Sequence, residues 1–193
     1  KYNVALIGTG FMGKAHSIAT AVVPILFGAP VEIERKIIVD IDEELARDAA
    51  KQYGFAEYTT DWRDVINRPD VDIVDICTPN DTHAEIAIAA ALAGKHVMCE
   101  KPMAMTVADA EKMQAAAQKT GVVTMVSYNY RHTPAIQMAK KLIDEGRIGK
   151  LHTLHSHFSY NNREPNNIRN KAAWGGGALL MCRCLLHACL AKV

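Results

Sequence analysis

The stretch Val4–Ser17, "VALIGTGFMGKAHS", decides the fold. Its first four residues are continuously apolar, as in a strand buried on both faces. Gly8, Gly10 and Gly13 follow at G-x-G-x-x-G spacing, and a helical pattern begins at once. In that context each glycine has its own part: Gly8 allows the tight turn, Gly10 lets a backbone approach a pyrophosphate, and Gly13 lets helix and strand pack closely. The amides of Phe11 and Met12 then face an anion at the helix N-terminus. The spacing predicts a dinucleotide-binding turn.

Working outward, the first 127 residues alternate strand-like runs with helical ones. The runs "NVALIG", "RKIIVDI", "VDIVDIC", "KHVMCE" and "GVVTMVS" are rich in Val and Ile and predict a parallel sheet. Helices are expected over 11–23 ending near Pro24, 43–53 closed by Gly54, a short stretch after Asp61, 83–93 closed by Gly94 and 107–119 closed by Gly121. Strand and helix in this succession define an α/β, doubly wound Rossmann architecture. Asp40 ends the second strand, 27 residues beyond Gly13, where a carboxylate can accept both ribose hydroxyls. Asp42 reads as a helix N-cap. Ile41 stands where a binder of the 2′-phosphate would offer Arg, which favours NAD over NADP while leaving NADP open.

After residue 128 the rhythm changes. "HTPAIQMAKKLIDEG" (132–146) predicts a helix and "KLHTLHSHFSY" (150–160) an alternating strand with no partner, followed by an Asn-rich loop. The expected division is a nucleotide-binding domain over 1–127 and the incomplete start of a mixed α/β domain over 128–193.

Composition narrows the partners. The 193 residues carry a formal net charge of +1, so nothing forms the basic field of a nucleic-acid binder. No apolar run spans a bilayer and no signal peptide opens the chain, so the sequence reads as soluble and cytoplasmic. Five cysteines, two of them near the ends of buried strands, suit reduced thiols rather than a disulfide framework.

Three further segments carry a resemblance. Residues 76–113, "ICTPNDTHAEIAIAAALAGKHVMCEKPMAMTVADAEKM", hold a Thr-Pro-Asn-x-x-His turn and a Glu-Lys-Pro element; "VSYNYRHTP" begins at Val126 and "WGGGALL" at Trp174. Together they resemble the glucose-fructose oxidoreductase, inositol dehydrogenase and related sugar dehydrogenase family (Gfo/Idh/MocA). The resemblance implies an NAD(P)-dependent oxidoreductase that moves a hydride between nicotinamide and a hydroxyl-bearing carbon of a sugar or cyclitol. It also implies a homo-oligomer formed through the C-terminal sheet. By matching positions, Glu100 and Lys101 would sit beside the nicotinamide, Pro102 would follow a cis peptide bond, and Lys101 would hydrogen-bond the substrate oxygen as the catalytic residue. Thr78, Asn80 and His83 would line the ribose and nicotinamide. Asn129 would face the nicotinamide, Arg131 the substrate, and Trp174 would wall the sugar site. Independently of the resemblance, a lysine at the carboxyl end of a buried strand stands in the crevice where such sheets bind ligands, and partial desolvation lowers its pKa.

The tail departs from the family. "GGGALL" leads there into Asp-x-Gly-x-His or Asp-x-Gly-x-Tyr, whereas no Asp follows Gly175 in this chain. Cys182, Cys184, His187 and Cys189 crowd the same region, but their spacing lacks the C-x₂₋₄-C pairs of structural zinc sites, and no metal is expected. His155 and His157 share one face of the expected strand, which alternation alone accounts for. The expected reading is a truncated member with an altered tail; the alternative is a non-catalytic dinucleotide-binding protein or an inactive fragment.

Overall fold

A computed structural model of the chain describes residues 1–28, 31–153, 155, 157, 159, 161 and 163–177. The described residues fall into two compact units, Lys1–Val126 and one that begins at Ser127.

The first unit is a six-stranded parallel sheet, β1 (Tyr2–Ile7), β2 (Ile33–Val39), β3 (Glu57–Thr59), β4 (Ile73–Ile76), β5 (His96–Cys99) and β6 (Thr124–Val126). Its order is β3-β2-β1-β4-β5-β6, two mononucleotide-binding halves meeting between β1 and β4. Five helices connect the strands: α1 (Phe11–Phe27), α2 (Glu43–Tyr53), α3 (Arg63–Ile66), α4 (His83–Leu92) and α5 (Val107–Thr120).

Alternation along the strands builds two cores, because successive side chains leave opposite faces of a pleated sheet. Ala5, Ile7, Ile37, Val39, Val74 and Ile76 pack with Ile86, Ala87, Ala90 and Met113 of α4 and α5. Leu6 and Ile38 turn to the other face and pack with Ala49, Ala50 and Phe55. Leu6, Ile38, Ile76 and Ile86 are fully buried, and each such side chain contributes roughly 1.5–3 kcal/mol relative to exposure. The helix ends follow local chemistry. The Asp42 carboxylate accepts the amides of Glu44 and Leu45 to start α2, Thr106 caps α5, and Gly54 and Gly121 close these helices in the left-handed region.

Two expectations are corrected. Helix α1 does not end near Pro24 but continues to Phe27. A proline this close to a helix end removes one backbone hydrogen bond, to the Thr20 carbonyl, and the remaining turn closes normally at left-handed Gly28. The sheet also has a strand that the five apolar runs omit: β3 is only three residues long and pairs with Ile37–Val39 of β2.

In the second unit, a 3₁₀ turn Asn129–His132 precedes helix α6 (Pro134–Asp144), and further 3₁₀ turns cover Ile168–Asn170 and Ala172–Trp174. The expected strand over 150–160 lies partly outside the described residues, and those of its residues that are described belong to no strand. The Cys182–Cys189 cluster also lies outside them.

Candidate functional site

Five of the six strands of the first unit run into residues singled out from sequence or their neighbours: Gly8 after β1, Asp40 after β2, Thr78 just past β4, Glu100 and Lys101 after β5, and Ser127 after β6. Because the sheet is parallel, all of these strand ends point the same way, toward the edge where open α/β sheets bind ligands.

The glycine turn has the shape its spacing predicts. Gly8 adopts φ +100°, and a Cβ there would stand 2.8 Å from the backbone carbonyl of Cys77. A Cβ on Gly13 would lie 1.9 Å from the Gly8 carbonyl oxygen, so helix α1 can approach β1 only through glycine. At Gly10 a Cβ would meet nothing within 4 Å. Gly10 is the N-cap of α1 and no side chain caps the helix, so the open space sits over uncapped amides, where a diphosphate fits. Phe11 is 84% exposed and Met12 half-buried.

Asp40 is fixed toward this turn. Its Oδ2 accepts the Thr9 amide at 3.0 Å and the Thr9 hydroxyl, and Oδ1 accepts the Asp42 amide at 3.2 Å. Ile41 beside it is 94% exposed and carries no charge.

Across the switch point, Thr78 is half-buried and its hydroxyl accepts the Thr82 hydroxyl at 2.6 Å, while Asn80 is buried in a 3₁₀ turn. His83 follows as the first residue of α4. It is fully buried, with Nδ1 2.8 Å from the Pro102 carbonyl and Nε2 3.0 Å from the Thr78 carbonyl. The ring thus stands between the carbonyls of two turns, the one after β4 and the one after β5. Glu100 is 6% exposed, its Oε1 is 3.1 Å from His16 Nε2, and its Oε2 accepts the Lys101 amide at 3.0 Å. It braces the lysine's turn. The Lys101–Pro102 peptide is cis, as expected, and Lys101 is half-buried.

Sequence reasoning passes over His16 and Asp75. Asp75 interrupts an apolar strand, and alternation sends it to the face opposite Val74 and Ile76. There, both its oxygens lie 2.9 Å from His16 Nδ1. A signal does exist: a carboxylate within a buried strand requires a partner, and His16 lies three positions after Gly13. His16, Asp75 and Cys77 offer donor atoms within 4.8 Å of one another, but both nitrogens of the ring are occupied by carboxylates, so hydrogen bonding accounts for the group. Burial alone would lower the His16 pKa, but the Asp75 carboxylate, the nearby Cys77 and the Glu100 carboxylate outweigh it and push the ring up to about 12. Burial raises the Cys77 thiol to about 12 and also raises Cys99. Neither is a reactive thiolate.

In the second unit, Asn129 is exposed and Arg131 half-buried, with a buried Nε that has no hydrogen-bond partner among the described residues. The Lys171 ammonium lies 4.2 Å above the Trp174 ring.

A parallel sheet in this order, with a glycine turn, a carboxylate held against it and a braced Lys-Pro turn along one edge, defines a dinucleotide-binding oxidoreductase fold. Comparison with known proteins gives the family. Residues 2–128 match the oxidoreductase family with an NAD-binding Rossmann fold, and residues 136–186 match the GFO/IDH/MocA C-terminal domain. The chain belongs to the Gfo/Idh/MocA family, and its first unit is an NAD-binding Rossmann fold. It is 48% identical over 183 residues to levoglucosan dehydrogenase of Pseudarthrobacter phenanthrenivorans, covering 92% of this chain and 47% of that protein. It is 31% identical to myo-inositol 2-dehydrogenase of Thermotoga maritima, covering 78% and 43%. A levoglucosan dehydrogenase structure in complex with NADH superposes with a TM-score of 0.89 at 44% identity, covering 99% of this chain and 53% of that one. Another, in complex with NADH and levoglucosan, matches at 53% identity with a TM-score of 0.74, covering 77% and 40%. The chain spans about half the length of these relatives. No described helix is long and apolar enough to cross a membrane.

Proposed function

We propose that this chain carries the cofactor site and part of the reaction centre of an NAD-dependent dehydrogenase acting on a hydroxyl-bearing carbon of a sugar or cyclitol. The observation that carries the proposal is the pairing, along one sheet edge, of the Gly8–Gly13 cradle with the Lys101 turn braced by Glu100. Gly8, Gly10, Phe11, Met12 and Gly13 would hold the diphosphate through backbone amides, and Asp40 would accept the ribose hydroxyls. Thr78 and Asn80 would border the nicotinamide side. When bound, NAD supplies the hydride acceptor. Lys101 would hydrogen-bond the substrate hydroxyl and take its proton as the carbon is oxidised. Asn129, Arg131 and Trp174 are assigned to the nicotinamide and sugar by family position. A levoglucosan-like anhydro sugar is the first substrate to try, because levoglucosan dehydrogenase shares 48% identity across 92% of this chain. Assembly through the C-terminal sheet and a cytoplasmic location belong to the same proposal.

A second reading is a dinucleotide-binding protein without turnover. It is favoured by the absence of any Asp after Gly175, since the family completes its proton relay there. Fluorescence titration with NADH, followed by NAD reduction assays with levoglucosan, inositol, glucose and xylose, separates the two. Saturable NADH binding with turnover that Lys101→Ala reduces at least about 100-fold supports the dehydrogenase. Binding without turnover selects the second reading, and turnover untouched by Lys101→Ala overturns the mechanism.

A further inference from the structure

His16 sits on α1, three residues beyond Gly13, and its side chain is buried. It is 8% exposed. Nδ1 meets both oxygens of Asp75 at 2.9 Å, and Nε2 meets Glu100 Oε1 at 3.1 Å. Among the described residues, the oxygens hydrogen-bonded to the ring all belong to carboxylates. A neutral imidazole has one N–H and one lone pair, so in the neutral state one nitrogen would direct its lone pair at a buried carboxylate. The imidazolium satisfies both contacts with both carboxylates ionised. The Cys77 thiol completes the surroundings by donating to Asp75 Oδ1 at 3.8 Å.

The chain of contacts continues past the ring. Glu100 is anchored through its own amide to the Ile76 carbonyl at 2.9 Å, and its second oxygen holds the Lys101 amide. The connected path therefore runs Asp75, His16, Glu100, Lys101 backbone. It begins on β4, crosses the helix that presents the phosphate-binding amides, and ends at the lysine assigned to proton transfer.

We infer that His16 is a positioning residue: a buried imidazolium that neutralises Asp75 and Glu100, keeps Glu100 locked on the Lys101 amide, and so joins the placement of the reactive lysine to the helix of the dinucleotide cradle. This role rests on the dehydrogenase reading for its catalytic consequence but not for its structural content. Without the cation, two carboxylates face each other in a buried space. Their repulsion is relieved when Glu100 swings away, and that movement releases the Lys101 amide. A displacement of about 1 Å at the reacting group is enough to cost roughly 100-fold in rate. The cradle glycines, by contrast, are held by backbone contacts that do not involve the ring.

The test uses the full 193-residue chain. Nitrogen-edited NMR of the histidine rings should find His16 protonated on both nitrogens at about pH 9, where an ordinary imidazole is neutral; a ring titrating in the ordinary range overturns the inference. In His16→Gln, the Lys101 amide should exchange with solvent at least about tenfold faster, while the NADH dissociation constant stays within about threefold. Turnover, where the native chain has it, should fall through kcat rather than KM. Unchanged Lys101 exchange in a folded His16→Gln chain overturns the inference. Should that variant fail to fold, Glu100→Gln serves instead: its amide offers only one acceptor oxygen, so either the His16 ring signals or the Lys101 amide exchange must change, and constancy of both overturns the inference. A native chain without turnover defeats the proposed reaction alone, because the ring spectrum and the amide exchange still decide the role of His16.

Discussion

Gly13 has no room for a side chain, and that is the most stringent single-residue demand in the first unit. A Cβ 1.9 Å from a carbonyl oxygen cannot be accommodated by a rotamer change, because the obstacle is backbone of the same turn. Gly13→Ala should therefore force α1 away from β1, cost about 3 kcal/mol as a severe overpacking, and abolish saturable NADH fluorescence enhancement. A chain that binds NADH normally after this change would remove the cradle from the site. His16 gives a second prediction. Its folded pKa, about 12, lies above the ordinary 6.5, so folding holds a proton that the unfolded chain releases. The resulting stabilisation is complete below pH 6.5 and is lost as pH rises toward 12. The groups facing the ring are Asp75, Glu100 and Cys77, and the raised thiol acts in the same direction at alkaline pH. The urea midpoint of the native chain should fall more steeply between about pH 6 and about pH 9 than that of His16→Gln; equal slopes would contradict it. The glycine turn was legible in sequence because its backbone constraints act over a few residues. The roles of His16, Asp75 and Thr9 were not, since each depends on a contact 31 to 84 residues away.

At the scale of the element, the strongest surface feature is the clamp that holds β3 to the turn before β4. Arg68 donates to Glu57 at 2.6 and 3.1 Å and to Asp70 at 2.8 and 2.6 Å, and Lys36 reaches the same two carboxylates at 2.9 and 3.2 Å. Arg68 and Lys36 together hold the Glu57 carboxyl down to about 2 and keep Asp70 well below the usual carboxylate range. Carboxyls depressed on folding stabilise the protein above their ordinary pKa, near 4.5 for Glu57, and lose that stabilisation as pH falls through about 2. Arg68→Met should thus flatten the acid side of the melting profile by lowering stability at neutral pH while leaving the value near pH 2 little changed, and salt should weaken the native clamp because these groups are partly exposed. An acid profile unaltered by the substitution would show that the clamp does not hold β3. The clamp also explains why β3 escaped the sequence reading. Glu-Tyr-Thr has neither a continuous apolar run nor enough length for alternation, and its strand state comes from pairing with β2 and from Arg68. Helix α1 runs past Pro24 for a complementary reason: a proline rule weighs one lost hydrogen bond, whereas the helix end is set by Gly28.

For the whole molecule, the decisive fact is where burial ends. Among the described residues, every buried apolar side chain lies between Val4 and Ala116, so the first unit contains its own core and its own parallel sheet. The fold class was readable because that core repeats one simple pattern, apolar strand then capped helix, with few contacts needed to recognise it. The second unit offered one amphipathic helix and polar turns, and its described residues bury no apolar side chain by which a sequence pattern could be checked. Stability and nucleotide binding should accordingly be separable from residues 127–193. Expressed alone, residues 1–126 should unfold in a single cooperative transition with a midpoint within about 5 °C of that of the full chain, a shift equivalent to roughly 1 kcal/mol for a domain of this size. They should also retain saturable NADH binding through Gly8–Gly13 and Asp40, weakened severalfold where Asn129 contributes to the nicotinamide. Differential scanning calorimetry and NADH titration of the two chains measure both quantities. A truncated chain that melts without cooperativity would mean that the core requires residues beyond Val126. One that melts normally but binds no NADH would move the cofactor's main contacts out of the first unit.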